Sequence, residues 1–183
     1  MKQAIVVVAM TLAVAAGARA QTPKGTTGDL VPPGASATLI DVEGRAVGEA
    51  RLLQTPHGVL VRLDLRNATP GVHALHVHEV GKCDKPSFES AGKHFSPAPR
   101  KHGFLNPGGP HAGDMPNLYV PQATRELSTE FLLADVTLDP GPRSLLDSNG
   151  SALVIHAGQD DYKTDPSGSS GDRIACGRIE KSQ

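Results

Sequence analysis

The sequence predicts an all-β domain, an antiparallel sandwich or barrel of about eight short strands that carries two long polar loops. Short runs of alternating or β-branched residues recur between Gly and Pro turns, and no segment of convincing length has the helical period. Trp is absent and there are only 4 Phe and 2 Tyr, so the core must be built from Val, Leu, Ile and Ala.

At the N-terminus, Lys2 precedes an apolar run from Ala4 to Ala16, and Ala18-Arg19-Ala20 is a small-residue cleavage signal. Residues 1–20 are therefore expected to be a secretory signal peptide, and the run is too short for the ~20 apolar residues of a membrane span. Residues 21–35, rich in Thr, Gly and Pro, are expected to be a flexible leader, and residues 36–183 the folded domain. Export to the periplasm or the extracellular space would place the only two cysteines, Cys83 and Cys176, where a disulfide is the default. Without Lys2 and Arg19 the chain has 16 basic and 19 acidic residues, a formal charge of 16 − 19 = −3, with no footprint for nucleic acid.

The expected strands come in order. Ala37–Val42, Ala46–Leu53, Gly58–Leu65 and Val72–Val80 are separated by turns at Glu43-Gly44, Pro56-His57 and Thr69-Pro70-Gly71. In the third, Val59, Val61, Leu63 and Leu65 share one face, while Leu60, Arg62 and Asp64 share the other. A Pro/Gly-rich stretch, residues 81–116, is then too long for a structureless loop unless something organises it. Further strands are expected at Leu118–Val120, Thr129–Leu138, Ala152–His156 and Ile174–Ile179, with a second polar loop at residues 158–172.

His76 and His78 stand two apart in a strand, so both rings leave the same face about 7 Å apart at the backbone. Alone, that pair is as well explained by a solvated strand face. His94, His102, His111 and Asp114 in the long loop, and His156 at the end of a later strand, change the balance. Imidazole suits copper and zinc, and an Asp oxygen completes a tetrahedral zinc site. Two four-coordinate ions need eight donors; six His and one Asp supply them only if one ring serves both ions, and His94 lies between the groups in sequence.

The segments His76-Val77-His78-Glu79, Gly92-Lys93-His94-Phe95, Gly109-Pro110-His111-Ala112-Gly113-Asp114, Ile155-His156-Ala157-Gly158 and Gly171-Asp172-Arg173-Ile174-Ala175-Cys176-Gly177 resemble, in order, the copper, zinc superoxide dismutase family. The resemblance runs from Ala35 to Ile179, and the Lys101-His102-Gly103 context is similar to the bacterial, secreted type. It implies a Greek-key sandwich, copper ligation by His76, His78, His94 and His156, and zinc ligation by His94, His102, His111 and Asp114. One copper and one zinc per chain, a Cys83–Cys176 disulfide and superoxide as substrate follow from it.

The same resemblance assigns Asp160 to linking a copper-ligating and a zinc-ligating imidazole. It makes Arg173 the arginine that attracts the anionic substrate and His94 the bridging ring that takes a proton when copper is reduced. His57 reads as a solvated turn residue and His73 as a structural histidine. Ala74 stands where family members often have Gly, which puts the local backbone in question. Lys93 and Lys163 are candidates for further steering. A homodimer is compatible with the sequence, which does not fix oligomeric state. Two other readings are a non-catalytic copper/zinc-binding module of the same fold and a mononuclear His-x-His enzyme. The first would lack a copper ligand or the arginine, and the second leaves His102, His111, Asp114 and the cysteines without a role.

Overall fold

The computed structural model describes residues 34–182, so the expected signal peptide and nearly all of the leader lie outside the described residues. The strands are β1 (Ala35–Asp41), β2 (Ala46–Thr55), β3 (Gly58–Arg66), β4 (Gly71–His73), β5 (Leu75–His78), β6 (Leu118–Val120), β7 (Glu126–Leu133), β8 (Ser151–His156) and β9 (Arg173–Lys181). Among the described residues the only helix is a single 3₁₀ turn, Glu89–Ala91. Seven strands form one antiparallel sheet in the order β5-β8-β9-β1-β2-β3-β7, and β4 pairs with β6 in a two-stranded piece. β1, β2 and β3 follow one another as neighbours, β9 returns to lie beside β1, and the chain crosses over between β3 and β5 and between β7 and β8, as Greek-key connections do.

The alternation of β3 is realised in full: Val59, Val61, Leu63 and Leu65 are buried in the main core, with intermediate residues between them. β8 and β5 are buried at every position, because the sheet closes over one face and the long loops cover the other. On the inner face, Leu75, Val77, Leu153 and Ile155 join the main core. On the outer face, Ala152, Val154 and Cys176 join Phe88 and Ala91 in a second, smaller core beneath the first long loop.

Two expected strands need correction. Val72–Val80 is two strands, because the chain changes partner at Ala74. Ala74 N–H donates to Gly158 O (2.7 Å), Ala74 O accepts from His156 N–H (2.9 Å), β4 pairs with β6, and β5 pairs with β8. The strand expected at Thr129–Leu138 begins earlier and ends earlier, at Glu126–Leu133. Its register is set by β3, opposite which Leu127 faces Leu65 and Leu133 faces Val59. Beyond Leu133 the chain turns at Ala134 and Asp135, and Val136 and Leu138 pack against the core from outside the strand.

Candidate metal centre

The alternation that buries Leu75 and Val77 turns His76 and His78 to the outer face of β5, and that of β8 turns His156 the same way. β5 is an edge strand, and the first long loop covers it with a short ladder of its own. Phe95 N–H donates to Val77 O (2.8 Å), Val77 N–H to Gly113 O (2.9 Å), and Gly113 N–H to Phe95 O (2.8 Å). These bonds set His94 opposite His78 and Asp114 opposite His76. Gly113 is required by this approach, since a Cβ there would stand 2.4 Å from Val77 O.

His76, His78, His94 and His156 consequently form one buried group whose donor atoms lie within 4.8 Å of one another. Four of their ring nitrogens are buried without any hydrogen-bond partner: His76 Nδ1, His78 Nε2, His94 Nε2 and His156 Nε2. The second nitrogen of each ring is engaged. His78 Nδ1 meets Gly92 O (3.0 Å), His156 Nδ1 meets Gly171 O (3.1 Å), His76 Nε2 meets Asp160 Oδ2 (2.8 Å) and His94 Nδ1 meets Asp114 Oδ1 (2.9 Å). Carbonyl and carboxylate oxygens only accept, so the proton sits on the engaged nitrogen and the other presents a bare lone pair. Four unpartnered lone pairs in a buried group would be costly for a core and fit a bound cation.

The electrostatics agree with neutral rings. Burial, then the neighbouring His94 charge, pushes His78 down to about 2. Burial, then His76, pushes His156 to about 3, and burial pushes His94 to about 4 against the pull of Asp114. Arg173 Nη2 donates to Gly92 O (2.8 Å), the carbonyl that also meets His78 Nδ1, so the guanidinium lies beside this group, and its charge adds to the depression of His78 and His156.

Asp114 organises the second group. Its Oδ1 lies 2.9 Å from His94 Nδ1, 3.1 Å from His102 Nδ1 and 3.3 Å from His111 Nδ1. Its Oδ2 accepts from the backbone N–H groups of Gly103 and His111, both at 2.9 Å. Burial alone would raise this carboxyl, but the three imidazoles and the Gly103 N–H hold it well below the ordinary carboxylate range. By proximity alone the tight set is His76, His94, His102 and Asp114, with His111 at its margin. Three Nδ1 atoms around one carboxylate oxygen nevertheless make His94, His102, His111 and Asp114 a donor set of the kind that zinc takes.

Asp160 touches both groups, with Oδ2 on His76 Nε2 (2.8 Å) and Oδ1 on His102 Nε2 (2.9 Å). Its own position is fixed by Asn117, whose side chain accepts from Asp160 N–H (2.8 Å) and donates to Asp160 O (2.9 Å). Burial works against protonation of His102, but Asp114 and Asp160 raise it to about 9. Asp160 itself is held low by His102 and His76 despite its burial. Gly168 lies so close that a Cβ would overlap Asp160 Oδ1.

Cys83 and Cys176 are disulfide-bonded, with Cα atoms 5.7 Å apart, tying the first long loop to β9. His73 is buried with its ring nitrogens 2.9 Å from His156 O and from Thr69 O, the structural part expected of it, and His57, Lys93 and Lys163 are exposed. Sequence reasoning did not find the backbone carbonyls of Gly92, Gly171 and Phe88 or the side chain of Asn117. A carbonyl is common to every residue, so its place at a site leaves no signal in residue type.

The sequence model of the family described as copper/zinc superoxide dismutase (SODC) matches residues 46–179. A superoxide dismutase [Cu-Zn] of Aquifex aeolicus is 48% identical over 146 residues, 79% of this chain and 86% of that protein. One from Caulobacter vibrioides is 41% identical over 150 residues, 80% of this chain and 85% of that protein. The crystal structure of a SOD-like protein from Bacillus subtilis superimposes with a TM-score of 0.75 at 40% identity, covering 78% of this chain and 96% of that chain. With a complete set of paired donors, a curled antiparallel sheet and relatives of this identity, the chain belongs to the copper/zinc superoxide dismutase family.

Proposed function

We propose that His76, His78, His94 and His156 hold copper and that His94, His102, His111 and Asp114 hold zinc. The activity is that of the family: two superoxide anions and two protons become dioxygen and hydrogen peroxide. The observation that carries the residue assignment is the set of four unpartnered buried nitrogens, one on each histidine of the first group. His111 rather than His76 belongs to the zinc set. His76 has Nε2 committed to Asp160 and its remaining nitrogen among the four lone pairs, whereas His111 Nδ1 is directed at Asp114.

Copper supplies a one-electron couple when bound. The chain supplies placement, charge and protons around it. His94 presents Nε2 to one group and Nδ1 to the other, so this ring can serve both, and its Nε2 is a buried base able to hold a proton destined for peroxide. Asp160 keeps His76 and His102 in fixed orientation with one carboxylate. Arg173 is the residue we assign to substrate capture. The mature chain carries about −3, which repels an anion, and a half-buried guanidinium beside the first group gives a local positive potential.

Residues 1–20 are read as an export signal and residues 36–183 as the catalytic domain, working in the periplasm or outside the cell. Among the described residues no helix is long and apolar enough to cross a membrane. The test is metal analysis with stopped-flow superoxide decay. His156→Ala should lose mainly copper, His111→Ala mainly zinc, and Arg173→Glu should keep copper while the rate falls by ~10- to 10³-fold and its salt dependence weakens or inverts. Arg173→Glu protein with full copper and an unchanged rate would remove the capture role. A His111→Ala protein that retains its zinc would overturn the zinc assignment.

A further inference from the structure

The guanidinium of Arg173 is gripped by two backbone carbonyls: Nη1 donates to Phe88 O (2.7 Å) and Nη2 to Gly92 O (2.8 Å). These carbonyls flank the one-turn 3₁₀ helix Glu89–Ala91, so their spacing is set by that turn. Gly92 O also accepts from His78 Nδ1 (3.0 Å), which puts the clamp one carbonyl away from a candidate copper ligand. What holds the turn is a side chain. Phe88 is fully buried and packs with Ala91, Ala152, Val154 and Cys176, the second core on the outer face of β8 and β9.

Phe88 also has a left-handed backbone, φ 55° and ψ 20°, a conformation that non-Gly residues adopt rarely and at a cost. This geometry lets the ring point into the core while the carbonyl of the same residue faces Arg173. The strained backbone is kept by burial of the ring. The disulfide enters five residues earlier, at Cys83, and its other half, Cys176, belongs to the small core that receives the Phe88 ring.

We propose that Phe88 is a positioning residue for Arg173: its buried ring locks the backbone turn whose carbonyls hold the guanidinium beside the copper group. This rests on the capture role given to Arg173 above. Truncating the ring lets the start of the turn relax, so the fork loses Phe88 O and the guanidinium swings toward solvent, while Gly92 O stays on His78 Nδ1. The copper ligands are carried by β5, β8 and the Phe95–Gly113 ladder, so they stay in place.

The experiment uses metal-loaded protein and two readouts. One is the rate of superoxide decay over ionic strength. The other is the Arg173 Nη–H signal in ¹⁵N-labelled, copper(I)-reduced protein, assigned by its loss in Arg173→Ala. In Phe88→Ala the signal should exchange rapidly with water, the rate should fall about tenfold or more at unchanged copper content, and its salt dependence should flatten. Phe88→Leu, which refills the apolar site, should restore both, so a gross folding defect in Phe88→Ala leaves the comparison with Leu intact through partial truncation at Phe88→Val. In an Arg173→Ala background Phe88→Ala should slow the enzyme no further. A protected Arg173 signal in Phe88→Ala, or the same fold-loss with and without Arg173, overturns the inference. If Arg173→Ala runs at full rate, the capture role falls, and the Nη–H signal alone then decides whether Phe88 positions the arginine.

Discussion

The two halves of the metal centre are built differently. His76, His78 and His156 sit on β5 and β8, strands that pair with each other through four residues and are buried at every position. His102, His111 and Asp114 sit in the 79–117 loop, where no strand passes through them and the hub is the Asp114 carboxylate. In the strand-borne half burial keeps His78 and His156 neutral, and the outward nitrogens of the three rings are engaged by carbonyls and by Asp160. The loop-borne half is ionic, with the Asp114 carboxyl held low and His102 raised to about 9 by Asp114 and Asp160. A rigid sheet can afford to converge bare lone pairs before any ion arrives, whereas a loop needs attractive charge to gather its ligands.

The largest effect should come where the halves meet. His94→Ala removes a donor from both, so it should abolish copper and zinc binding and lower dismutation by well over ~100-fold, beyond the 10- to 100-fold reach of an outer partner. Metal analysis of the purified variant, beside stopped-flow decay, checks this. Retention of either ion at full occupancy would show that the halves are independent.

Next is the disulfide, which ties the first long loop to β9. Cys83→Ser should cost about 2–5 kcal/mol in unfolding free energy. Its amide exchange should rise in the 79–117 loop while β3 and β8 stay protected. Uniform loss of protection would mean that the sheet and loop unfold as one unit.

Asp160 spans the two halves and should show a smaller, shared effect. Asp160→Asn keeps one acceptor oxygen for one imidazole N–H but not for both. Affinity for both metals should drop by about 10- to 100-fold, read by competition with a chelator. A loss confined to one metal would place Asp160 wholly on that side.

The smallest and most discriminating difference is in pH. His78, His156 and His94 are depressed to about 2, 3 and 4, so above pH 5 copper has no proton to displace from these three rings and its affinity should change little between pH 5 and 8. His102 is raised to about 9 from 6.5, so in the metal-free chain its stabilisation is complete below pH 6.5 and is lost as pH rises through 9. Zinc must displace that proton, so zinc affinity should rise between pH 6.5 and 9. Calorimetric titration at pH 7.5 in two buffers of different ionisation enthalpy should find proton release with zinc and little with copper. Equal proton release for the two metals would erase the contrast.

The sequence by itself determined what depends on residue type and local period. The alternation of Val59 to Leu65 named the buried face of β3, the His76/His78 spacing put two rings on one face, and a count of donors required one shared ring. The paired cysteines and the Asp among the loop histidines followed from chemistry that single residues carry. Tertiary structure alone decided which nitrogen of each ring is bare, because that depends on carbonyls of Gly92 and Gly171 brought from other parts of the chain. It decided the break of the fourth expected strand at Ala74, where Gly158 and His156 supply the partners. It also decided the grip on Arg173, since the Phe88 and Gly92 carbonyls lie 85 and 81 residues away in sequence and backbone oxygens are the same in every residue. Side-chain identity is written locally, whereas hydrogen-bond partnership is a property of distance in space, and only the folded sheet with its loops in place sets that distance.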